Sequence, residues 1–367
     1  MLQKDGRSLP KAAPRNKAAL RRLWFKVHKW LGLALAVPVL LIFLSGSLLV
    51  WKDNLDALMH PRRIAAVAPS RTPEFYLAHA HHALQPGEAI ASLDFSQSHG
   101  TVIVTAVPIG PGLLQTGASV RYYLDPLTGA VRDRSSADTG LMRYVHVLHG
   151  SLLLGVSGSR AVGLIAFLLL GSAASGLWLW WPAKGSLLRA MRWRRSGNLY
   201  ANLHHQAGYW AVLPVIVLSL TGAAICFPGL FATAAGQEAA TRDAFMRNVS
   251  VPSTRPRLEL AQVLGAAGSP APQTLVRIAW PTMLDSSWKI SFRDHKPQAV
   301  VYIDDASGRS VSSETRPRTT VVELMRIVHD GTGLPLVWKI MIFATGLLGS
   351  ALALTGLFMW LRGYVRR

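Results

Sequence analysis

One cysteine, Cys226, is all the chain contains. A single thiol excludes an intramolecular disulfide, a thiolate-bound iron–sulfur cluster and covalent c-type haem attachment, so any haem would be held non-covalently. Acidic residues are few, 19 against 39 lysines and arginines, and none falls in four long apolar runs, Leu31–Val50, Ala161–Trp181, Ala207–Phe227 and Val337–Trp360. Their absence there argues against a proton- or metal-coupled transporter, which carries carboxylates at membrane depth. Neither a GxGxxG nor a Walker motif occurs, so these residues offer no recognisable nucleotide or flavin site.

What is present is apolar length. With 50% hydrophobic and 16% charged residues, the composition is that of an integral membrane protein. Each run holds about 20 mainly apolar residues, enough at ~1.5 Å rise to cross ~30 Å of hydrocarbon. The net charge of +20 is concentrated in three places. Residues 1–29 carry nine Lys/Arg against Asp5 alone, residues 183–202 carry five with no acid, and Arg362, Arg366 and Arg367 close the chain. With four spans these segments share one side, which the positive-inside rule makes cytoplasmic. The charge is therefore topology, and no recognition motif or aromatic interleaving follows the basic arm, so nucleic acid is not expected as a partner.

The resulting layout is a multi-pass protein in the lipid of a bacterial inner membrane with both termini cytoplasmic. Residues 1–22 form a basic N-terminus, 23–51 the first span and 52–145 a periplasmic module. Residues 146–182 form the second span, 183–202 a basic cytoplasmic loop and 203–228 the third span. A second periplasmic module at 229–328, a fourth span at 329–362 and a cytoplasmic tail at 363–367 complete it. Tryptophans mark the boundaries, with Trp24, Trp30, Trp178, Trp180, Trp181 and Trp360 on the inner side and Trp51 and Trp338 on the outer. The first run exceeds a signal-peptide core, so it reads as an uncleaved anchor.

The chain says nearly the same thing twice. His28–Trp51 matches His204–Phe227 at an offset of 176, pairing His28 with His204, Gly32 with Gly208, Pro38 with Pro214 and Gly46 with Gly222. His149 lies 27 residues before Gly176, as His329 does before Gly356, and at that offset of 180 Trp180 falls on Trp360. Between the spans, Arg121–Arg132 matches Val300–Ser312, each a predicted hairpin turning on Asp and Gly. Helical stretches at Pro73–Leu84 and Leu258–Ala266 and strand patterns at Gly100–Val107 and Gln273–Trp280 precede them. The expected fold is a mainly α membrane protein, a four-helix transmembrane bundle built from an internal duplication, with two small α+β periplasmic modules.

Four histidines in two matched pairs point to haem. A buried imidazole needs its nitrogens satisfied, and a haem clamped by two of them takes one from each of two helices at the same depth. His28 and His204 open outward-running spans at the inner face, while His149 and His329 precede inward-running spans at the outer face. Two haem b groups would then divide the ~30 Å core into short electron-transfer steps. His205 and His146 are rival ligands, each within a turn of a paired histidine. Gly32 and Gly208 lie one turn from His28 and His204 and are expected to face a porphyrin, and Arg143 and Arg326 are placed to meet propionates. His79, His81 and His82 cluster on an external helical stretch with only Glu74 and Glu88 near, a solvated face rather than a metal site.

These residues resemble a known family. His-x3-Gly opening a span that ends Ser/Thr-Gly, a Leu-His or Val-His before spans ending Gly-Leu-x-x-Trp, and a Tyr-x-Asp-x-x-Ser/Thr-Gly hairpin are similar to the PepSY-associated transmembrane proteins. Four spans with two PepSY-like external modules and no fused flavin domain look most like its FoxB-type ferric siderophore reductases. The resemblance implies a dihaem protein that passes electrons outward to a ferric siderophore of hydroxamate type and releases Fe2+, drawing on a cytoplasmic or membrane donor. Two other functions fit the residues: a haem b subunit serving a quinone or another periplasmic acceptor, and a haem-free scaffold or binding protein.

Overall fold

A computed structural model of the chain describes residues 15–95, 100–110, 119–136, 139–181, 198–239, 241, 250–271, 274–293, 300–311 and 320–365. The first 14 residues and most of the basic 183–202 loop lie outside these. The chain divides into two units, one of Met1–Val50, His146–Phe227 and Met325–Arg367, the other of Trp51–Val145 and Pro228–Leu324.

The first unit is helical. Among the described residues, four helices are long and apolar enough to cross a membrane: α1 (Arg15–Val50), α5 (Gly155–Trp180), α6 (Leu199–Cys226) and α10 (Leu336–Val365). A helix pairs its own backbone groups internally, which is why it is the form such runs take in lipid. α1 and α6 run unbroken through Pro38 and Pro214. α1 and α6 each pack against both α5 and α10, which sets α1 opposite α6 in the bundle. Gly349 admits the Phe43 ring, and Ser47 donates to the Phe343 carbonyl at 3.3 Å, which draws α1 onto α10.

Where one segment was expected over 146–182, there are two helices. α4 (Leu141–Ser151) carries His149, and α5 begins only at Gly155. Between them Leu152 and Leu153 both take left-handed backbone, with φ of 48° and 62°. Each such non-glycine residue costs ~1–2 kcal/mol. The corresponding break before α10 separates it from α9 (Val321–Asp330), which carries His329, and there Gly331 and Gly333 take positive φ without that cost.

The second unit is one sheet, not two modules. Its strands are β1 (Glu88–Phe95), β2 (Val102–Pro108), β3 (Val120–Leu124), β4 (Val131–Ser136), β5 (Leu275–Ala279), β6 (Ser287–Phe292), β7 (Val300–Asp304) and β8 (Ser310–Val311). They lie in the order β4-β3-β2-β1-β5-β6-β7-β8, every neighbour antiparallel. The seam is β1 against β5, with Leu93 opposite Ile278 and Asp94 opposite Arg277. Helices α3 (Pro73–Ala83) and α8 (Leu260–Ala266) cover one face, so Tyr76 and Ala80 join Val263 and Leu264 over Leu93, Val104, Tyr122, Ile278, Trp288 and Ile303 in a single core. Short helices α2 (Lys52–Met59) and α7 (Pro228–Ala234) belong to the same unit.

The two hairpins form as predicted, and their aspartates do the work. Asp125 Oδ1 accepts from the Leu127 and Thr128 N–H groups at 2.9 and 3.0 Å, and Arg132 donates to Oδ2 at 2.8 Å. Those N–H bonds to the ionised form, the Thr128 bond foremost, hold the Asp125 carboxyl down to about 2. Asp304 makes the matching turn, where the Ser307 hydroxyl and N–H lower its pKa too. A depressed folded value stabilises above the unfolded value of ~3.9 and is lost on acidification below it. Stability of the sheet unit should therefore fall as pH drops from about 4 to about 2. Asp125→Asn should flatten that part of the acid limb, which amide exchange of β3 and β4 across this range would check.

Candidate functional site

Four partly buried histidines of the bundle unit, His28, His149, His204 and His329, meet in two pairs. His28 of α1 and His204 of α6 lie with ring centroids 6.3 Å apart and planes at 77°. His149 of α4 and His329 of α9 do so at 6.1 Å and 44°. An imidazole nitrogen binds a transition metal at ~2.0 Å and lies ~1.1 Å from its own ring centre, so two rings opposed across one ion have centroids ~6.2 Å apart. Both pairs have that separation.

Each ring is held by the same device. His28 Nδ1 lies 3.1 Å from the Ser172 carbonyl and 2.9 Å from Ser175 Oγ, both on α5. His204 Nδ1 lies 3.1 Å from the Leu352 carbonyl and 3.0 Å from Thr355 Oγ1, on α10. His149 Nδ1 bonds the Ile42 carbonyl at 2.9 Å and Ser45 Oγ at 3.3 Å, on α1. His329 Nδ1 bonds Thr221 Oγ1 at 2.9 Å and the Leu218 carbonyl, on α6. In every case the carbonyl comes three residues before the hydroxyl, one helical turn away.

Those contacts fix the tautomer. Ser45, Ser175, Thr221 and Thr355 donate their hydroxyl protons to carbonyls of their own helices, at 2.6, 2.8, 2.9 and 2.6 Å. Their oxygens are left to accept, and a carbonyl can only accept, so Nδ1 of each ring carries the proton and donates. Nε2 of a neutral ring then keeps its lone pair, the arrangement that a metal-ligating histidine requires.

A glycine follows each hydroxyl and makes room for the ring. A Cβ on Gly46 would stand 2.8 Å from Cε1 of His149, and one on Gly176 3.1 Å from Cε1 of His28. For Gly222 against His329 and Gly356 against His204 the distances are 3.2 and 3.5 Å. The seats are exchanged: α1 seats the histidine that leads into α5 while α5 seats the one on α1, and α6 and α10 trade in the same way. The family model for the PepSY-associated TM region matches residues 25–362, across all four histidines and all four seats. The chain belongs to that family. No curated protein matches it.

The other predicted residues of this PepSY-associated chain lie outside the two pairs. His205 stacks on Trp180, with centroids 6.3 Å apart, and His146 is exposed on α4. Arg143 and Arg326 are exposed on the turns before His146 and His329. Gly32 has nothing within 4 Å of where a Cβ would stand, and Gly208 meets Leu352 at 3.6 Å, so neither seats a ring. His79 bonds the Phe75 carbonyl at 2.8 Å and packs on Gly129, while His81 and His82 are exposed. Among the described residues, no three His, Cys, Asp or Glu side chains gather as a metal-ion site.

Sequence reasoning missed the hydroxyl–glycine seats. Their signal was present as Ser45-Gly46, Ser175-Gly176, Thr221-Gly222 and Thr355-Gly356, but α5 and α10 also carry Ser157-Gly158 and Thr345-Gly346, and spacing along one helix does not say which dipeptide receives a ring on another. Gly46→Ala should push His149 aside and lower stability by ~1–3 kcal/mol, the usual penalty of overpacking. Gly356→Ala, at ordinary contact distance, should cost less than ~1 kcal/mol by the same reasoning. Thermal unfolding of the detergent-solubilised variants would check the ranking, and equal losses would contradict it.

Proposed function

We propose that this chain is an inner-membrane electron-transfer protein that holds two haem b groups and reduces a ferric siderophore on the periplasmic side. The observation that carries the reading is the pair of opposed imidazoles, repeated, with each Nδ1–H tied to a neighbouring helix and each separation matching one ion between two Nε2 atoms. Two imidazoles per site would hold a macrocyclic cofactor that brings the rest of its iron's donors itself. A bare ion would want three or four protein ligands.

The residue roles follow from that fit. His28 and His204 would ligate one haem, His149 and His329 the other. When bound, each haem supplies a one-electron iron couple. The carbonyl and hydroxyl behind each Nδ1 raise the basicity of the ligating nitrogen and fix the ring's direction, and the glycines let it come close. The apolar helix faces around both pairs keep water away, which sets the electrostatic surroundings of each iron. The absence of acidic residues from the spans fits a protein that moves electrons rather than cations.

The orientation rests on the basic segments, which favour the cytoplasm for both termini and leave the sheet unit in the periplasm. Electrons would enter from a cytoplasmic or membrane donor and leave to a ferric hydroxamate complex. Hard oxygen donors favour the higher charge of Fe3+, so one-electron reduction to Fe2+ loosens the metal without any bond-making by the protein.

The decisive experiment is the haem content and visible spectrum of the detergent-purified protein, oxidised and dithionite-reduced, followed by addition of a ferric hydroxamate siderophore. Two low-spin b-type haems per chain, reoxidised by that complex, are expected. Reoxidation by a quinone but not the complex would move the function to a quinone-linked carrier, and a colourless protein from haem-sufficient cells would leave only a scaffold. His149→Ala or His329→Ala should remove one haem and abolish reduction of the external complex while the other haem stays. Retention of both haems in each variant would refute the pairing.

A further inference from the structure

Only two fully buried polar side-chain atoms among the described residues have no hydrogen-bond partner, and one is Trp180 Nε1. A buried donor without an acceptor is rare enough in folded proteins to call for a ligand, ion or water to complete it. Trp180 is the last residue of α5. Its indole is fixed by stacking, on Tyr209 with centroids 5.0 Å apart and planes at 27°, and on His205 at 6.3 Å and 26°. The N–H is therefore aimed by aromatic neighbours and not by any bond of its own.

The place of this donor is informative. Trp180 lies five residues, or ~7.5 Å of helix rise, beyond Ser175, whose hydroxyl touches His28. His205, its stacking partner, follows His204 directly. Trp180 thus follows, along α5, the serine that seats His28, and it packs on the sequence neighbour of His204, which puts its orphaned N–H at the same end of the bundle as the His28–His204 pair. A cation reaches the same helix end: Arg21 of α1 donates to the Leu179 carbonyl at 2.7 Å and to the Trp181 carbonyl at 3.1 Å, the residues on either side of Trp180. An unpaired N–H and a guanidinium on the same helix end select an anionic acceptor.

We infer that Trp180 Nε1, with Arg21 at the same helix end, binds a propionate carboxylate of the haem proposed between His28 and His204. The inference rests on the reading of that pair as a haem site. It makes Trp180 a positioning residue: it fixes the rotation of the macrocycle about the axis joining the two imidazoles, which the imidazoles themselves cannot fix. One charge-assisted hydrogen bond also balances part of the carboxylate charge near the iron.

The test is Trp180→Phe in the full-length purified protein, which keeps an aromatic ring for the stack and removes the donor. Trp178→Phe, at an exposed position of the same helix, serves as control. The Trp180 variant should keep two haems. Its resonance Raman spectrum should show a shifted propionate bending band, and one haem should transfer to an apomyoglobin acceptor about tenfold faster, the effect of one lost charge-assisted bond. A band and a transfer rate equal to those of wild type and the Trp178 variant would overturn the inference with the haem reading intact. That reading is judged separately, by whether His28→Ala and His204→Ala each lose one haem; if they do not, no haem lies between these rings and the inference falls with it.

Discussion

The hydrogen bond from a histidine Nδ1 to a carbonyl on the neighbouring helix is the constraint around which the bundle is organised. An imidazole in an apolar bundle left without an acceptor costs ~1–3 kcal/mol, and there are four of them. Helix carbonyls are already used once within their own helix, so the ring must reach a second lone pair, close against the backbone. A Ser or Thr three residues on folds its hydroxyl back onto its own helix, which presents the oxygen as a second acceptor beside the carbonyl. A glycine after it removes the Cβ that would hold the ring away. Because the seats are exchanged between α1 and α5 and between α6 and α10, neither helix of a couple can slide without unseating a ring on the other.

The sheet unit meets a different constraint, the edge. Four strands from each half would leave β1 and β5 exposed as long apolar edges, each a template for aggregation. Pairing them with each other removes both at once and merges the two cores into one cluster. The edges that remain are protected in other ways. β4 carries Arg132, Asp133 and Arg134, the last tied to Glu88, and β8 is only two residues long. Asp305, buried beside β7, accepts from the Arg257 and Leu258 N–H groups and from Trp288 Nε1, so the segment before α8 is fastened to the core by one carboxylate.

Much of this was legible in the sequence because it depends on local pattern or on repetition. Apolar length marked the four helices, the repeat singled out His28, His204, His149 and His329, and Asp and Gly marked the hairpins at Asp125 and Asp304. What was missed depends on other elements. β1 and β6 are the exceptions: Ala91–Phe95 and Trp288–Phe292 alternate apolar with polar residues, and only the register shift after Ile90 interrupts that pattern. Nothing within β1 or β5 says that they pair. The helix break after Ser151 is hidden because leucines occupy the left-handed positions where the second half of the chain has the tell-tale glycines.

That difference between the halves extends to the seats. The glycines receiving first-half rings, Gly46 and Gly176, stand closer to Cε1, at 2.8 and 3.1 Å, than those receiving second-half rings, Gly222 and Gly356, at 3.2 and 3.5 Å. Each pair therefore combines a tightly seated imidazole with a looser one. The ring planes differ widely as well, 77° in one pair and 44° in the other, yet the centroid separations agree within 0.2 Å. Packing for its own sake would not hold the distance constant while letting the angle drift, since two aromatic rings in contact gain from particular mutual orientations. A ligand bound end-on by one nitrogen of each ring has the opposite preference: it fixes the distance along the line between the two nitrogens and leaves rotation about that line free. The quantity these two pairs share is their centroid separation, the one that the proposed coordination would set.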